Sequence, residues 1–581
     1  MLRFKQQRWN LNELVHGRVE DFFEKVELKV REFENFRELL KPNMDAKIFL
    51  KILKENERIA EMLARLSGYA SLLFYSNVYD QKAIKLKRQV EQFSADIENR
   101  TLFFNLFWKR LEEKDAKRIL EKAENYRYFL KNLRKFRKYT LNESEEKILN
   151  LKDITSNFIL KTLYAMIVNR FLFELELKGK KKYFTRDQLV KFVHDANKNV
   201  RRKAYAAFFL PFKNNKEIIA EIYKAIALDW KNENIKLRGF KDAIAVRNLL
   251  NDVPDEAVEK LFSVCKENVE IFQEYFSLKA KFIGMKRLTR YDLYAPVGKV
   301  RRMGYSEAMQ LVIGVFKEFC PEFYNSAIKL IKSNHIDSET RRGKVSNAFN
   351  FSVIPELLPY VLLNPSKTFY DALTIAHELG HAIHSILSSK NSFFNFHPSL
   401  PLAEVASVFS ETLVYESLFE REKGEFKKNL MFDRLDSLYA TIQRQAFFSI
   451  FEKEVYEDIE NLSTEEIALL YEKNLKEQFG RAIGMLEDFK WEWLTVSHFY
   501  ESPFYCYSYA FANLVVLSLY ERYKKEGKDF LPCYLDLLRA GNSEEPEKLL
   551  LRYGFDICSK NFWQDGFKFV EKLIKEAENV D

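Results

Sequence analysis

Two histidines four residues apart, His377 and His381, point the same way when their segment is an α-helix, because a turn takes about 3.6 residues. The pentapeptide His377-Glu378-Leu379-Gly380-His381 therefore calls for a helix whose single face can seize one Zn²⁺. Glu378 sits one residue past the first ligand, where its carboxylate reaches a metal-bound water without binding the metal. The chain has 8 histidines and 84 acidic residues in 581. Chance then supplies roughly 0.016 such motifs, so coincidence is a poor explanation. The competing reading is a buried helix with two hydrogen-bonded histidines. The pattern points to hydrolysis by a zinc-activated water.

The flanking sequence agrees with a helix. Asn364-Pro365-Ser366-Lys367 reads as a turn, and Thr368, three residues before Asp371, resembles a capping box. Leu373, Ala376, Gly380 and Ile383 recur at helical spacing, and the pattern fades at Ser388-Ser389. Gly380 inside a helix costs on the order of 1 kcal/mol against alanine. Either a close helix–helix or helix–substrate approach requires it, or it is merely tolerated. Catalytic zinc usually takes three protein ligands. His384 lies on roughly the same face, but an extended metzincin pattern would need glycine and histidine where Ile383 and Leu387 stand. The other candidate is Glu404, in a helix-like run with apolar positions 402, 405, 408, 409 and 413 on one side. On spacing alone a surface glutamate is an equal reading. Glu411, two turns on, suits an acceptor that orients a ligand histidine.

Glu404-x-x-Ser407-x-x-x-Glu411, 23 residues after His381, resembles the second signature of the thimet oligopeptidase and oligoendopeptidase F peptidases. The first signature is similar to the run from His377 to His384. Further blocks resemble the oligoendopeptidase F branch: 140–149, Leu237-Arg238-Gly239-Phe240 with Arg247-Asn248, 291–296 and 359–364. The resemblance implies that Glu404 is the third ligand of one Zn²⁺ per chain and that His384 is structural. It also implies a mostly α fold, with two helical lobes flanking a deep substrate channel that excludes folded proteins and admits oligopeptides.

A hydrolase of this kind also needs donors for an oxyanion. The densest cluster runs from His498 to Tyr509, since tyrosine hydroxyls donate at neutral pH. The family carries a histidine and a tyrosine pair seven residues apart in a corresponding loop. Tyr500 and Tyr507 fit that separation, so Tyr507 ranks first, then His498 and Tyr500, with Tyr505 in reserve. An aromatic core position is the alternative for each, and in a chain that is 15% aromatic it is expected for at least one of Tyr505 and Tyr509. No glycine lies between 485 and 525, unlike the glycine-rich loop of some relatives. Residues 360–363 read as a short strand beside the motif, whose exposed edge would pair with an extended peptide. Ser346-Asn347-Ala348-Phe349 stands where the family has Ser-Gly-Ala-Tyr, so its substrate contacts do not transfer directly.

Elsewhere the chain reads as amphipathic helix, with one small sheet next to the motif. In 45–66 the stripe is Ile48, Phe49, Ile52, Leu53, Ile59, Met62, Leu63 and Leu66. In 255–276, Asp255 caps a stripe of Val258, Leu261, Phe262, Cys265, Val269, Phe272 and Phe276. The basic run 178–182 divides a helical part, 1–182, from a catalytic part, 183–581, and reads as a solvated loop. A net charge of +9 from 93 bases interspersed with 84 acids argues against nucleic acid as partner. The start, Met1 to Arg8, lacks an apolar signal core, and the charge-free stretch 502–520 is too polar for a membrane span. Five scattered cysteines fit a reducing cytoplasm. The expectation is a cytoplasmic zinc endopeptidase of short peptides, with no nucleic-acid or membrane partner and its oligomeric state unassigned. A zinc carboxypeptidase would need a basic anchor for the substrate's C-terminus. A silent peptide binder would have no need of Glu378, and a basic scaffold would need clustered charge.

Overall fold

Apolar stripes at helical period dominate the chain. The computed structural model, which describes residues 3–177 and 179–580, folds them into helices and, among those residues, three small sheets. Met1, Leu2 and Lys178, used in the sequence reading, lie outside the described residues. The chain forms two compact units. One comprises Met1–Asn150, Arg301–Ser417 and Arg522–Gly554; the other comprises Leu151–Val300, Leu418–Glu521 and Phe555–Asp581. Neither unit is one continuous stretch of sequence.

The first unit begins with the expected long helix, Ala46–Ser76, capped by Asp45, whose side chain accepts from the Lys47 amide. Phe49, Ile52, Leu53, Ile59 and Leu66 are buried, whereas Ile48 falls at the stripe's margin and is half exposed. Phe49 packs on Phe104 and Trp108 of the helix Gln81–Arg110, with ring centroids 5.2 and 5.1 Å away. In the second unit, the expected helix over 255–276 is two helices, Asp255–Glu267 and Val269–Phe282. Asn268 breaks it by folding its side-chain amide back onto the Val264 carbonyl at 2.8 Å, a local bond that competes with the helix. The apolar stripe runs through the break, and Val258, Leu261, Phe262, Cys265, Phe272 and Phe276 are all buried.

Within the basic run, residues 180–182 are strand and not loop. Lys180–Phe184 is a strand paired antiparallel with Phe173–Leu177. Phe173 and Leu175 point inward and Glu174 and Glu176 outward, the period-2 pattern of a half-buried strand. Glu174 pairs with Lys181 at 2.7 Å and accepts from the Tyr183 hydroxyl at 2.9 Å, so the lysines form a solvated face. The charge-free stretch lies mainly in the buried helix Tyr507–Glu526, and no described helix is long and apolar enough to cross a membrane.

A three-stranded sheet in the first unit packs on the motif helix, Tyr370–Ser388. Tyr360–Leu362 is its central strand, parallel to Ile336–Asp337 and antiparallel to Phe349–Phe351. The expected strand therefore exists, but it is not the edge: it is fully buried and bonded on both sides. Val361 and Leu363 donate to the His335 and Asp337 carbonyls, leaving Tyr360 and Leu362 to pair with Phe351 and Phe349. By the alternation of an antiparallel ladder, the Asn350 backbone then faces the open edge. The Ser352 hydroxyl donates to Ser385 of the motif helix at 2.6 Å, tying this edge strand to it.

Lys344 holds the loop between the outer strands. Its buried ammonium donates to the carbonyls of Asp337, Glu339 and Leu363 at 2.9, 3.2 and 2.7 Å and lies 3.0 Å from the Asp337 carboxylate. Lys344→Met strips these acceptors of their donor and leaves buried charge short of a partner. It is expected to lower unfolding free energy by about 3–5 kcal/mol, read from the denaturant midpoint at unchanged slope.

Candidate active site

Asp371 anchors the start of the motif helix, though not through the expected capping box. The helix opens at Tyr370 after Phe369, with no side-chain cap. The Asp371 carboxylate instead reaches back to accept the Ser366 amide at 2.7 Å, the Ser366 hydroxyl at 2.8 Å and the Lys367 amide at 2.9 Å. The turn needs this brace, since Lys367 adopts φ +64°. From there Ala372, Leu373, Ile375, Ala376, Leu379, Ala382 and Ile383 bury the helix. His377 and His381 keep partial exposure.

Gly380 is required, not tolerated. A Cβ there would lie 2.6 Å from the Ala406 carbonyl oxygen, 2.7 Å from Ser407 Cα and 2.8 Å from Ser410 Oγ. The helix Leu400–Arg421 crosses the motif helix at this point. Two of the three obstructing atoms are backbone, so no side-chain rotation could make room. The close approach carries Glu404 to the histidines: its Oε2 lies 3.5 Å from His377 Nε2 and 3.4 Å from His381 Nε2. The two imidazole nitrogens are 3.1 Å apart.

These three donor atoms fit a zinc ion. A tetrahedral Zn²⁺ with donors at 2.0–2.1 Å separates them by about 3.3 Å, and the triangle has sides of 3.1–3.5 Å. Glu411 Oε1 lies 2.5 Å from His377 Nδ1. Nδ1–H donating to that carboxylate leaves the Nε2 lone pair turned toward the other two donors. Ser407 Oγ, 3.0 Å from Glu404 Oε2, steadies the carboxylate. Burial opposes charge on His377, yet the carboxylates of Glu411, Glu404 and Glu378 outweigh it and lift the imidazole to about 10. Burial likewise opposes charge on Glu404, but the His381 and His377 rings and the Ser407 hydroxyl bring it down to about 2. A site that favours positive charge so strongly suits a divalent cation. Among the described residues, His377, His381 and Glu404 are the group arranged to hold a metal ion. His384 is outside it. Its ring is buried, and burial with the neighbouring His381 pushes it down to about 3, a neutral packing residue. Glu378 is buried too, and desolvation raises its carboxyl above the ordinary value.

In the second unit the His498–Tyr509 segment divides by exposure. Tyr500 is wholly buried, its ring stacked 3.7 Å from that of Tyr164. Tyr507 is wholly buried as well, and its hydroxyl accepts from Asn251 Nδ2 at 2.7 Å. His498, Tyr505 and Tyr509 keep partial exposure and cluster together. The His498 ring lies 5.1 Å from Tyr505 and 5.8 Å from Tyr509, and the two tyrosine hydroxyls are 3.5 Å apart. Burial lowers His498 below the usual imidazole value, so it is neutral with one N–H to donate. Tyr509 is not among the donors ranked from sequence, where a core position is expected for at least one of Tyr505 and Tyr509. The signal available for it was its place four residues after Tyr505, at the first turn of a helix.

A sequence model of peptidase family M3 matches residues 191–569, and one of oligopeptidase F matches residues 108–173. An oligoendopeptidase F homolog from Borreliella burgdorferi is 26% identical over 571 residues, 96% of this chain and 94% of that protein. Oligopeptidase PepF from Bacillus subtilis is 25% identical over 595 residues, covering 97% and 87%. A crystal structure of oligoendopeptidase-F from Enterococcus faecium matches with a TM-score of 0.74 at 19% identity, covering 97% of this chain and 99% of that one. A candidate peptidase from Chlamydophila abortus matches with a TM-score of 0.83 at 22% identity, covering 99% and 98%. With more than half of its length matched, the chain belongs to peptidase family M3, as a metallopeptidase of the oligopeptidase F branch.

Gly380→Ala tests the helix crossing. Alanine is the better helix former by about 1 kcal/mol, yet the helices must part and withdraw Glu404. The variant is expected to stay helical by circular dichroism while its zinc affinity falls roughly ten-fold or more, measured by competition with a chromophoric chelator.

Proposed function

We propose that this chain is a zinc endopeptidase that cleaves internal bonds of short peptides in the cytoplasm, with one Zn²⁺ held by His377, His381 and Glu404. The observation that carries the reading is the three-donor triangle, built on the same helix as Glu378. Bound Zn²⁺ supplies Lewis acidity, which acidifies water and polarises a carbonyl. Glu378 takes a proton from the attacking water and passes it to the leaving amine nitrogen. Its burial supports this, because a raised carboxyl holds the proton between the two transfers. The Glu411 carboxylate keeps His377 in one tautomer throughout.

Donors for the oxyanion come from the His498–Tyr509 segment. The burial of Tyr500 and Tyr507 moves the proposed role to His498, Tyr505 and Tyr509, whose polar atoms are reachable. Tyr507, bonded to Asn251, anchors the segment instead. The substrate backbone pairs with the open edge of Phe349–Phe351, where the Asn350 amide and carbonyl face outward. The names of the relatives, oligoendopeptidase F and oligopeptidase, support short peptides as substrates. The five scattered cysteines form no disulfide among the described residues, which supports a reducing compartment.

Two experiments test this. Glu378→Gln is expected to retain stoichiometric zinc while kcat falls about 10²–10⁴-fold; unchanged turnover would refute the proton-transfer role. A quenched fluorescent peptide blocked at both termini is expected to be cut internally, with activity lost to chelator and restored by zinc. Cleavage only of peptides with a free C-terminus would instead indicate a carboxypeptidase.

A further inference from the structure

The turn that joins His498 to Tyr509 is held in an unfavourable conformation by four polar groups from outside it. The short helix Ser497–Glu501 ends at Ser502, and the helix Tyr507–Glu526 begins five residues later. Between them Phe504 adopts φ +56°, a left-handed backbone that a bulky L-residue avoids. Such strain persists only where the surroundings over-determine it, and it concentrates at sites whose function needs it.

Two helices supply the constraint. From Arg444–Asp458, Glu452 Oε1 accepts the Phe504 amide at 3.0 Å and Ser449 Oγ accepts the Tyr507 amide at 3.0 Å. These residues are three apart and share a face. From Ala243–Leu250 and the residue after it, Arg247 and Asn251 are four apart and share a face likewise. Arg247 Nε donates to the Pro503 carbonyl at 2.9 Å and Nη2 to Ser502 Oγ at 2.8 Å, while Asn251 holds the Tyr507 hydroxyl. Glu452 is wholly buried and Arg247 nearly so. Burying a carboxyl and a guanidinium is a poor way to gain stability, since apolar residues of similar volume do as well or better. Among the described residues the second oxygen of Glu452 has no hydrogen-bond partner, so the hydrogen bonding of this buried carboxyl goes to the Phe504 amide. Every hydrogen bond described here ends on the segment between His498 and Tyr509.

Resting on the donor role proposed above for His498, Tyr505 and Tyr509, we infer that Glu452 and Arg247 are positioning residues whose grip on the Ser502–Phe504 turn aims those donors. Tyr505 follows the strained residue directly, and Tyr509 lies one helical turn further. Releasing Phe504 lets the backbone relax and swings both hydroxyls away from His498.

The test is a double-mutant cycle on the zinc-loaded full-length enzyme with the blocked peptide, alongside zinc content and thermal unfolding. Tyr505→Phe, Tyr509→Phe and His498→Ala come first. A loss of kcat of about ten-fold or more in at least one supports the donor reading; wild-type kcat in all three defeats that reading, and this proposal with it. Glu452→Leu is then expected to lower kcat about ten-fold or more with KM within about two-fold and zinc unchanged, and Glu452→Gln, which keeps an acceptor, to recover most of the loss. Combined with the most damaging donor variant, Glu452→Leu is expected to add little further loss, because both changes remove one function. Defective donor variants beside a fully active Glu452→Leu, or losses that multiply, would overturn the positioning role alone. If Glu452→Leu does not fold, Ser502→Ala, which removes only a partner of Arg247, carries the test. A kcat lowered about three-fold or more at unchanged melting temperature supports the proposal, and unchanged kcat overturns it.

Discussion

Glu404 meets the histidine pair because two helices touch where one of them has no side chain. At Gly380 the backbone of Ala406 and Ser407 occupies the space a Cβ would need. This contact sets the spacing of the three donor atoms, since Glu404 leaves its helix less than one turn before it. The histidines are placed by helical periodicity alone, a local property. The third donor is placed by packing, and packing at this distance admits only glycine. Asp371, which braces the start of the motif helix, and Ser352, which ties the edge strand to it through Ser385, complete a frame around that crossing.

The electrostatics follow from that frame. Carboxylates at 378, 404 and 411 surround two imidazoles in a largely buried place, so positive charge is strongly favoured there. Glu411 does more than add charge, because its short bond to Nδ1 decides which nitrogen of His377 offers a lone pair. His384 illustrates the converse. It shares the helix and lies near the ligands in sequence, but burial and the neighbouring His381 ring keep it neutral.

The aromatic segment of the second unit obeys a different logic. Tyrosines 500, 505, 507 and 509 look alike in sequence, and a seven-residue separation singles out the first and third. Burial sorts them otherwise. Tyr500 stacks on Tyr164 and Tyr507 is tied to Asn251, while Tyr505 and Tyr509 stand beside His498. The residues that impose this arrangement, Arg247, Asn251, Ser449 and Glu452, lie some 50 to 260 positions away, and no local pattern marks them.

Much of the site was legible in the chain itself. The helical phase of His377, Glu378 and His381, the two-turn separation of Glu404 and Glu411, and the amphipathic stripes of 45–66 and 255–276 all rest on periodicity, which needs only neighbours along the sequence. Features that depend on distant partners were misread or left open. Residues 360–363 are a strand as expected, but whether a strand is central or at an edge depends on what pairs with its other side, here Ile336–Asp337. The basic run 178–182 reads as a loop until Phe173 and Leu175 are seen to be buried and Glu174 to pair with Lys181. Gly380 could be tolerated or required until a second backbone is found against it. Sequence alone determined which groups can do the chemistry and which helical face presents the first two ligands. Tertiary structure decided which glutamate reaches them, which tyrosines stay accessible and which strand lies open, because each is settled by contacts between residues far apart in the chain.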